Sequence, residues 1–281
     1  MKTLLTRSIS GLIFVAIIIG SILWSEKAVL IVFAIISGIG LYEFHRLYQS
    51  QKTFNLSSLA TALIGTTSFI SFIYPIYFLN QTVQQGLIDS SALILVLFVL
   101  YALYQLWIDR SAVIVNLWLL LFGLCYVVVP LYIGVLIHLT DENAFPSLLV
   151  IFILVWTNDT FAYLSGNLFG KHKLIARISP NKTWEGFIGG FVFTIIVGAL
   201  LDKQLFDGNS FWLWAAIIVS PAAVIGDLFE SLLKRKNKVK DTGTIMPGHG
   251  GILDRFDAMF FALPFFYLWH IIYKYLESLP S

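Results

Sequence analysis

The sequence predicts an all-α, polytopic integral membrane protein of about nine transmembrane helices with a cytoplasmic N-terminus. Three observations carry this. Of 281 residues, 58% are hydrophobic and only 12% charged, against about half apolar and about a quarter charged in an ordinary soluble domain. Apolar runs recur at the ~20-residue length that crosses a ~30 Å hydrocarbon core. The basic residues gather on alternate sides of those runs, as they do in membrane proteins. A soluble fold of this size could not bury so much apolar surface. A disordered chain and a secreted disulfide scaffold are excluded too: Cys125, the single cysteine, lies in an apolar run and reads as a small core side chain.

The spans fall at about 7–24, 27–46, 56–79, 90–108, 112–138, 146–167, 184–201, 210–231 and 252–273. The first follows Lys2 and Arg7 as a signal peptide would, yet no small-x-small cleavage site comes after it. Trp24, Glu26 and Lys27 read instead as the interfacial exit of a retained helix. The fifth contains Pro130 and is taken as one kinked helix rather than two short ones. With the N-terminus inside, all of the 18 Lys and Arg residues except Lys27, Lys203 and Lys274 face the cytoplasm; one span more or fewer scrambles that order. Residues 1–145 read as a lipid-facing scaffold, with Tyr101, Tyr104 and Trp107 at the interfaces and His45 near a span end. Residues 146–281 read as the catalytic transmembrane region, because nearly all polar residues at membrane depth follow residue 155.

Three polar constellations stand out there. In the sixth span, Asp159 sits about eight residues, or ~12 Å, from the cytoplasmic end, where a charge costs on the order of 2.5–3.5 kcal/mol. It needs a wet cavity or a cationic partner. Asp159, Ala162, Tyr163 and Gly166 share a helical face, with Asn158 adjoining. In the cytoplasmic loop before the seventh span, Ser179, Pro180, Asn181 and Thr183 are helix-start residues. A helix opening there would aim free N–H groups at the cytoplasm, with Lys182 and Thr183 placed for a phosphate oxygen.

The third constellation runs over 226–257. Asp227, Glu230, Ser231 and Lys234 fall on one face of the eighth span. Pro247-Gly248-His249-Gly250-Gly251 permits tight turns and close backbone approach to a ligand. Asp254 and Asp257 then share a face at the start of the ninth span. Such carboxylates suit a hard cation such as Mg²⁺, which usually takes one or two of them plus substrate phosphates. Asp227, Asp241, Asp254 and Asp257, interleaved with Lys234, Arg235, Lys240 and Arg255, are costly in a scaffold and natural in a metal and polyphosphate site. His249, among glycines and acids, is placed to donate to a phosphate or relay a proton; His45, His138, His172 and His270 read as interfacial or loop residues. No H-E-x-x-H, cysteine cluster or G-x-x-x-x-G-K-[ST] loop is present.

The stretch from Ser231 to Asp257 resembles the signature of the phosphatidate cytidylyltransferases, or CDP-diacylglycerol synthases. Ser231, Leu233, Lys234-Arg235, Lys240-Asp241, Gly243, Met246, Pro247, His249-Gly250-Gly251, Ile252, Asp254-Arg255, Phe256 and Asp257 match it without departure. The Ser-Pro-x-Lys-Thr-Trp-Glu-Gly run at 179–186 and the Asn-Asp-x-x-Ala-Tyr run at 158–163 are similar to the family as well. The resemblance implies Mg²⁺-dependent transfer of CMP from CTP to phosphatidate in phospholipid biosynthesis, with pyrophosphate released. It implies Asp227, Asp254 and Asp257 as metal ligands, with room for a second cation, and these with His249, Lys240 and Arg255 as the catalytic set. Asn158, Asp159, Ser179, Lys182, Thr183, Lys234, Arg235, Asp241, Gly250 and Gly251 become substrate-binding residues, the two glycines by letting backbone amides approach phosphate. The partners implied are CTP, phosphatidate, membrane lipids and a second copy in a homodimer, with no nucleic acid. The location implied is the cell (inner) membrane, with the site facing the cytoplasm. Two other readings stay open: a CTP-dependent kinase of a polyprenol-type lipid alcohol, which would release CDP, and an ion-coupled transporter using Asp159 and Asp227.

Overall fold

The computed structural model describes residues 2–48, 56–79, 81–108, 112–141, 143, 145–206, 208–246, 248 and 250–279, and leaves aside the side chains of 2–8, 56 and 108. Pro247 and His249 of the glycine-rich turn, and the loop charges Lys52 and Arg110, lie outside the described residues. The helices are α1 (Lys2–Trp24), α2 (Glu26–Tyr48), α3 (Leu56–Phe78), α4 (Val83–Ile108), α5 (Val113–Gly123), α6 (Val129–Leu139), α7 (Ser147–Phe169), α8 (Trp184–Leu205), α9 (Phe211–Lys236), α10 (Leu253–Phe256) and α11 (Met259–Glu277). Two short strands, β1 (Lys173–Ile175) and β2 (Ser179–Thr183), lie between α7 and α8. Among the described residues, 8 helices are long and apolar enough to cross a membrane. α1 adds the shorter apolar stretch Ile9–Trp24. The protein is a polytopic, almost wholly helical membrane protein.

The chain forms two compact units, Met1–Leu139 with Asp241–Arg255, and Thr140–Lys240 with Phe256–Ser281. The segment Asp241–Arg255 packs with the N-terminal helices.

In the first unit α2 is central and buries Val29, Phe33, Leu41 and Phe44. Ser37 Oγ donates to the Gly65 carbonyl of α3 at 3.3 Å. His45 and Tyr101 are not interfacial as expected. Both are buried, and the imidazole bonds to Ser58 Oγ at 3.2 Å and to the Tyr101 hydroxyl at 3.0 Å. Burial is tolerated because each polar group finds a partner on a neighbouring helix. Trp107, by contrast, is 91% exposed, as an interfacial aromatic would be. α5, a π-helical turn at Leu124–Val128 and α6 form one continuous span, Val113–Leu139. The π turn directly precedes Pro130. Proline lacks an N–H and its ring clashes with an α-helical carbonyl four residues back, so a widened turn lets one helix pass it. Cys125, read as a core side chain, lies on the exposed side of that turn.

In the second unit α7 and α8 meet through glycines. A Cβ at Gly186 would stand 2.7 Å from the Ala162 carbonyl oxygen, and one at Gly190 2.7 Å from that of Asn158. The close-packed face of α7 is therefore Asn158, Ala162 and Gly166, while Tyr163 is exposed. Asp202 caps α9, its carboxylate accepting from Ser210 N at 2.7 Å and Trp212 N at 3.1 Å. β1 and β2 pair antiparallel, Lys173 with Thr183 and Ile175 with Ser179. This corrects the expected helix start: Ser179, Pro180 and Asn181 lie on β2. Pro180 drives the residue before it into extended backbone, and proline suits an edge strand. Thr183 alone keeps the capping role, its Oγ1 accepting from Gly186 N at 3.1 Å.

Candidate active site

Seven of the expected residues come together in the second unit, carried by α7, β2, α9 and the turn before α11. Gly226 on α9 makes this possible. A Cβ there would strike the Asp257 carbonyl and stand 3.2 Å from Ala258 Cα. The next residue, Asp227, is thereby brought beside Asp257. The Asp257 carboxylate, whose Oδ1 accepts from Ala258 N at 2.8 Å, feels the charges of Asp227, Asp159 and Lys234. Lys182 Nζ stands 2.5 Å from Asp227 Oδ2, and Ser231 Oγ donates to Asp227 Oδ1 at 3.3 Å. Lys234 pairs one helical turn back with Glu230 at 2.5 Å. Glu230 is 1% exposed, so Lys234 serves partly to neutralise it. Asn158 is buried and does structural work: Ser220 Oγ donates to its Oδ1 at 2.6 Å, and its Nδ2 reaches Asp159 at 3.4 Å. Asp159 itself is on the exposed side of α7.

The hairpin is tied to this cluster. Arg235 Nε donates to the Ile178 carbonyl at 3.4 Å. Glu185 at the start of α8 accepts from the backbone N–H of Lys171 and His172 and bonds to His172 Nδ1 at 2.6 Å. Three basic side chains of the hairpin region, Lys171, Lys173 and Arg177, remain exposed.

The glycine-rich turn belongs to the first unit and is organised by two carboxylates. Asp254, expected as a metal ligand, is 8% exposed. Its Oδ2 accepts from Thr242 N and Thr242 Oγ1 at 2.9 Å and from Gly251 N at 2.8 Å. The second carboxylate is Glu43 of α2, 1% exposed, which the sequence reading passed over. Its Oε2 accepts from Leu253 N at 3.0 Å and lies 3.5 Å from Thr242 Oγ1. A Cβ at Gly243 or Gly251 would fall on the Glu43 carboxylate, and one at Gly250 on that of Asp254. Gly250 also has φ +81°, where only glycine is unstrained. These glycines admit the protein's own carboxylates, and the Gly251 amide, expected to meet phosphate, is given to Asp254. The signal that marks Glu43 in the sequence is an ionisable residue within an apolar span. Lys240, Asp241 and Arg255 are exposed.

Among the described residues, no three His, Cys, Asp or Glu side chains are grouped to hold a metal ion. A pair such as Asp227 and Asp257 is still enough for Mg²⁺ when substrate phosphates complete its shell. The neighbouring lysines are what two approaching polyanions require.

Similarity to known proteins follows the same residues. The chain is similar to phosphatidate cytidylyltransferases of Staphylococcus haemolyticus, 46% identical over 138 residues (47% of this chain, 53% of that one), and Staphylococcus saprophyticus, 45% identical over 138 residues (47% and 53%). That of Staphylococcus epidermidis is 46% identical over 127 residues, 44% of this chain and 49% of the relative. The chain thus matches about half the length of these curated relatives. A family model described as the cytidylyltransferase family matches residues 5–273, which takes in the scaffold helices as well as both carboxylate clusters. With a match of that extent, the chain belongs to the cytidylyltransferase family.

Proposed function

We propose that the protein transfers the cytidylyl group of CTP to phosphatidate, giving CDP-diacylglycerol and pyrophosphate, in the cell membrane and from its cytoplasmic side. The observation that carries the reading is the carboxylate and lysine cluster of the second unit, on a chain of this family with the whole Ser231–Asp257 signature.

A phosphatidate oxygen attacks the α-phosphorus of CTP. The new P–O bond forms as the bond to the β-phosphoryl group breaks, and pyrophosphate leaves with the electron pair. No protein nucleophile is needed, so the chain's task is to bring two polyanions together and spread the charge of the transition state. Lys182 and Lys234 do this from the cluster; Arg235, Lys240 and Arg255 supply further positive charge for the triphosphate and the lipid phosphate. Ser231 orients the Asp227 carboxylate. Asp227 and Asp257 are the residues that would hold Mg²⁺, which when bound neutralises phosphate charge and polarises the phosphoryl oxygen. Asp254 fixes the glycine-rich turn.

The test uses detergent-purified protein with α-labelled CTP, phosphatidate and Mg²⁺. Labelled CDP-lipid and an equal amount of pyrophosphate are expected. Release of CDP with a newly phosphorylated lipid would sink the reading in favour of the kinase, and solute flux without nucleotide turnover would favour the transporter.

A further inference from the structure

We infer that Glu185 is a positioning residue for Lys182: it locks the base of the β1–β2 hairpin and so sets the register that holds the Lys182 ammonium beside Asp227. This role rests on the cytidylyl-transfer reading above and adds to it a residue that acts through another.

Lys182 lies on a short element. β1 and β2 pair Lys173 with Thr183 and Ile175 with Ser179, with an irregularity between Lys173 and Ile175, and a two-stranded ribbon is marginally stable by itself. Its register nevertheless decides the site. Lys182 and Thr183 are consecutive on β2, so their side chains leave opposite faces. Thr183 is buried and caps α8 through Gly186 N, while Lys182 Nζ reaches Asp227 Oδ2 at 2.5 Å. A slip of one residue would exchange these faces and turn the ammonium away from the carboxylate.

Glu185 stands where such a slip would begin. It lies in the first turn of α8 and reaches back across the base of the hairpin. Its Oε2 accepts from Lys171 N at 3.1 Å and His172 N at 3.2 Å, just before β1. Trp184 N donates to the His172 carbonyl at 2.9 Å. Both backbone groups of His172 are therefore bound, the N–H by the side chain of Glu185 and the carbonyl by Trp184. The His172 imidazole also meets Glu185, at 2.6 Å, but that side chain is 78% exposed, where a charged contact contributes little. The reach of the carboxylate to two backbone amides, rather than its charge, fixes the register. At the far end Arg235 Nε holds the Ile178 carbonyl at a longer 3.4 Å, so the base is the firmer end.

Two substitutions separate reach from charge. Glu185→Gln keeps the length and an acceptor oxygen; Glu185→Asp keeps an acid in the first turn of α8 but is one methylene shorter. The detergent-purified full chain is labelled with a water-soluble acetylating ester, and the modified lysines are read by mass spectrometry. In the wild type and Glu185→Gln, Lys182, 25% exposed, is expected to react about fivefold or more slowly than the exposed Lys171 and Lys173; in Glu185→Asp that protection is lost. Cytidylyl transfer is expected to fall on the order of tenfold in Glu185→Asp and by less than about twofold in Glu185→Gln. In a Lys182→Met background, Glu185→Asp should cost less than about twofold more, because residues that act through one contact are not additive. Equal protection of Lys182 in Glu185→Asp and wild type, a loss in Glu185→Gln as large as in Glu185→Asp, or losses that multiply in the double variant would each overturn the role. The labelling needs no substrate, so the two readings fail separately: a wild type that makes no CDP-lipid although Lys182 is protected sinks the proposed function, and the catalytic meaning of Glu185 with it.

Discussion

Glu43→Ala would leave Leu253 N–H facing a buried space without an acceptor, while the Thr242 hydroxyl keeps Asp254. Each buried group left unsatisfied costs about 1–3 kcal/mol. The variant should melt several degrees lower in detergent and lose most cytidylyl transfer, while Glu43→Gln, which keeps an acceptor oxygen, recovers part of both; equal melting temperatures for Glu43→Ala and wild type would contradict the clamp. The aspartates separate by the same two measurements. Asp257→Asn replaces a carboxylate that faces Asp159, Asp227 and Lys234 and is expected to keep its melting temperature but lose turnover on the order of 10²–10³-fold. Asp254→Asn weakens an acceptor of three hydrogen bonds and should lower stability as well as turnover. If Asp254→Asn were as stable as Asp257→Asn, Asp254 would not be the residue that fixes the turn.

Among the elements, the contact of α9 with the turn before α11 is unforgiving, because at Gly226 the nearest obstacles to a Cβ are all backbone, of Asp257 and Ala258. Gly226→Ala should cost about 1–3 kcal/mol by overpacking and reduce turnover more than the same change at Gly20, which has open space around it. Thermal melts and initial rates of the two variants check this. The elements differ in how openly the sequence displays them. Helices announce themselves because a span needs about 20 apolar residues in a row, and even the passage through Pro130 is legible as one helix, although the π turn that permits it is not. The β1–β2 hairpin is hidden because Ser179, Pro180, Asn181 and Thr183 are as fit for a helix start as for an edge strand, and only Thr183 becomes a cap. His45 and Tyr101 look interfacial because their partners come from other helices. In the candidate site, Lys182, Asp227, Lys234 and Asp257 were legible from charge density at a span end. The use made of Asp254 and the glycines was not, because it depends on Glu43, remote in sequence.

For the whole molecule, the distribution of basic residues predicts a sidedness that labelling tests. In a Cys125→Ser background, Lys203→Cys should react with a membrane-impermeant maleimide in intact cells, and Lys173→Cys only after the membrane is opened; the reverse pattern would invert the topology. The clamp on the glycine-rich turn has a consequence for synthesis. Glu43 and Thr242 are 199 positions apart. At a translation rate of ~5–20 residues per second, α2 waits on the order of 10–40 s for the segment it holds. During that interval the carboxylate of Glu43 stands in a nascent helix without Leu253 or Thr242 to meet it. The turn cannot take its final shape until Leu253 has been made, so a ribosome-stalled product ending before residue 242 would carry inserted helices but an unformed glycine-rich turn.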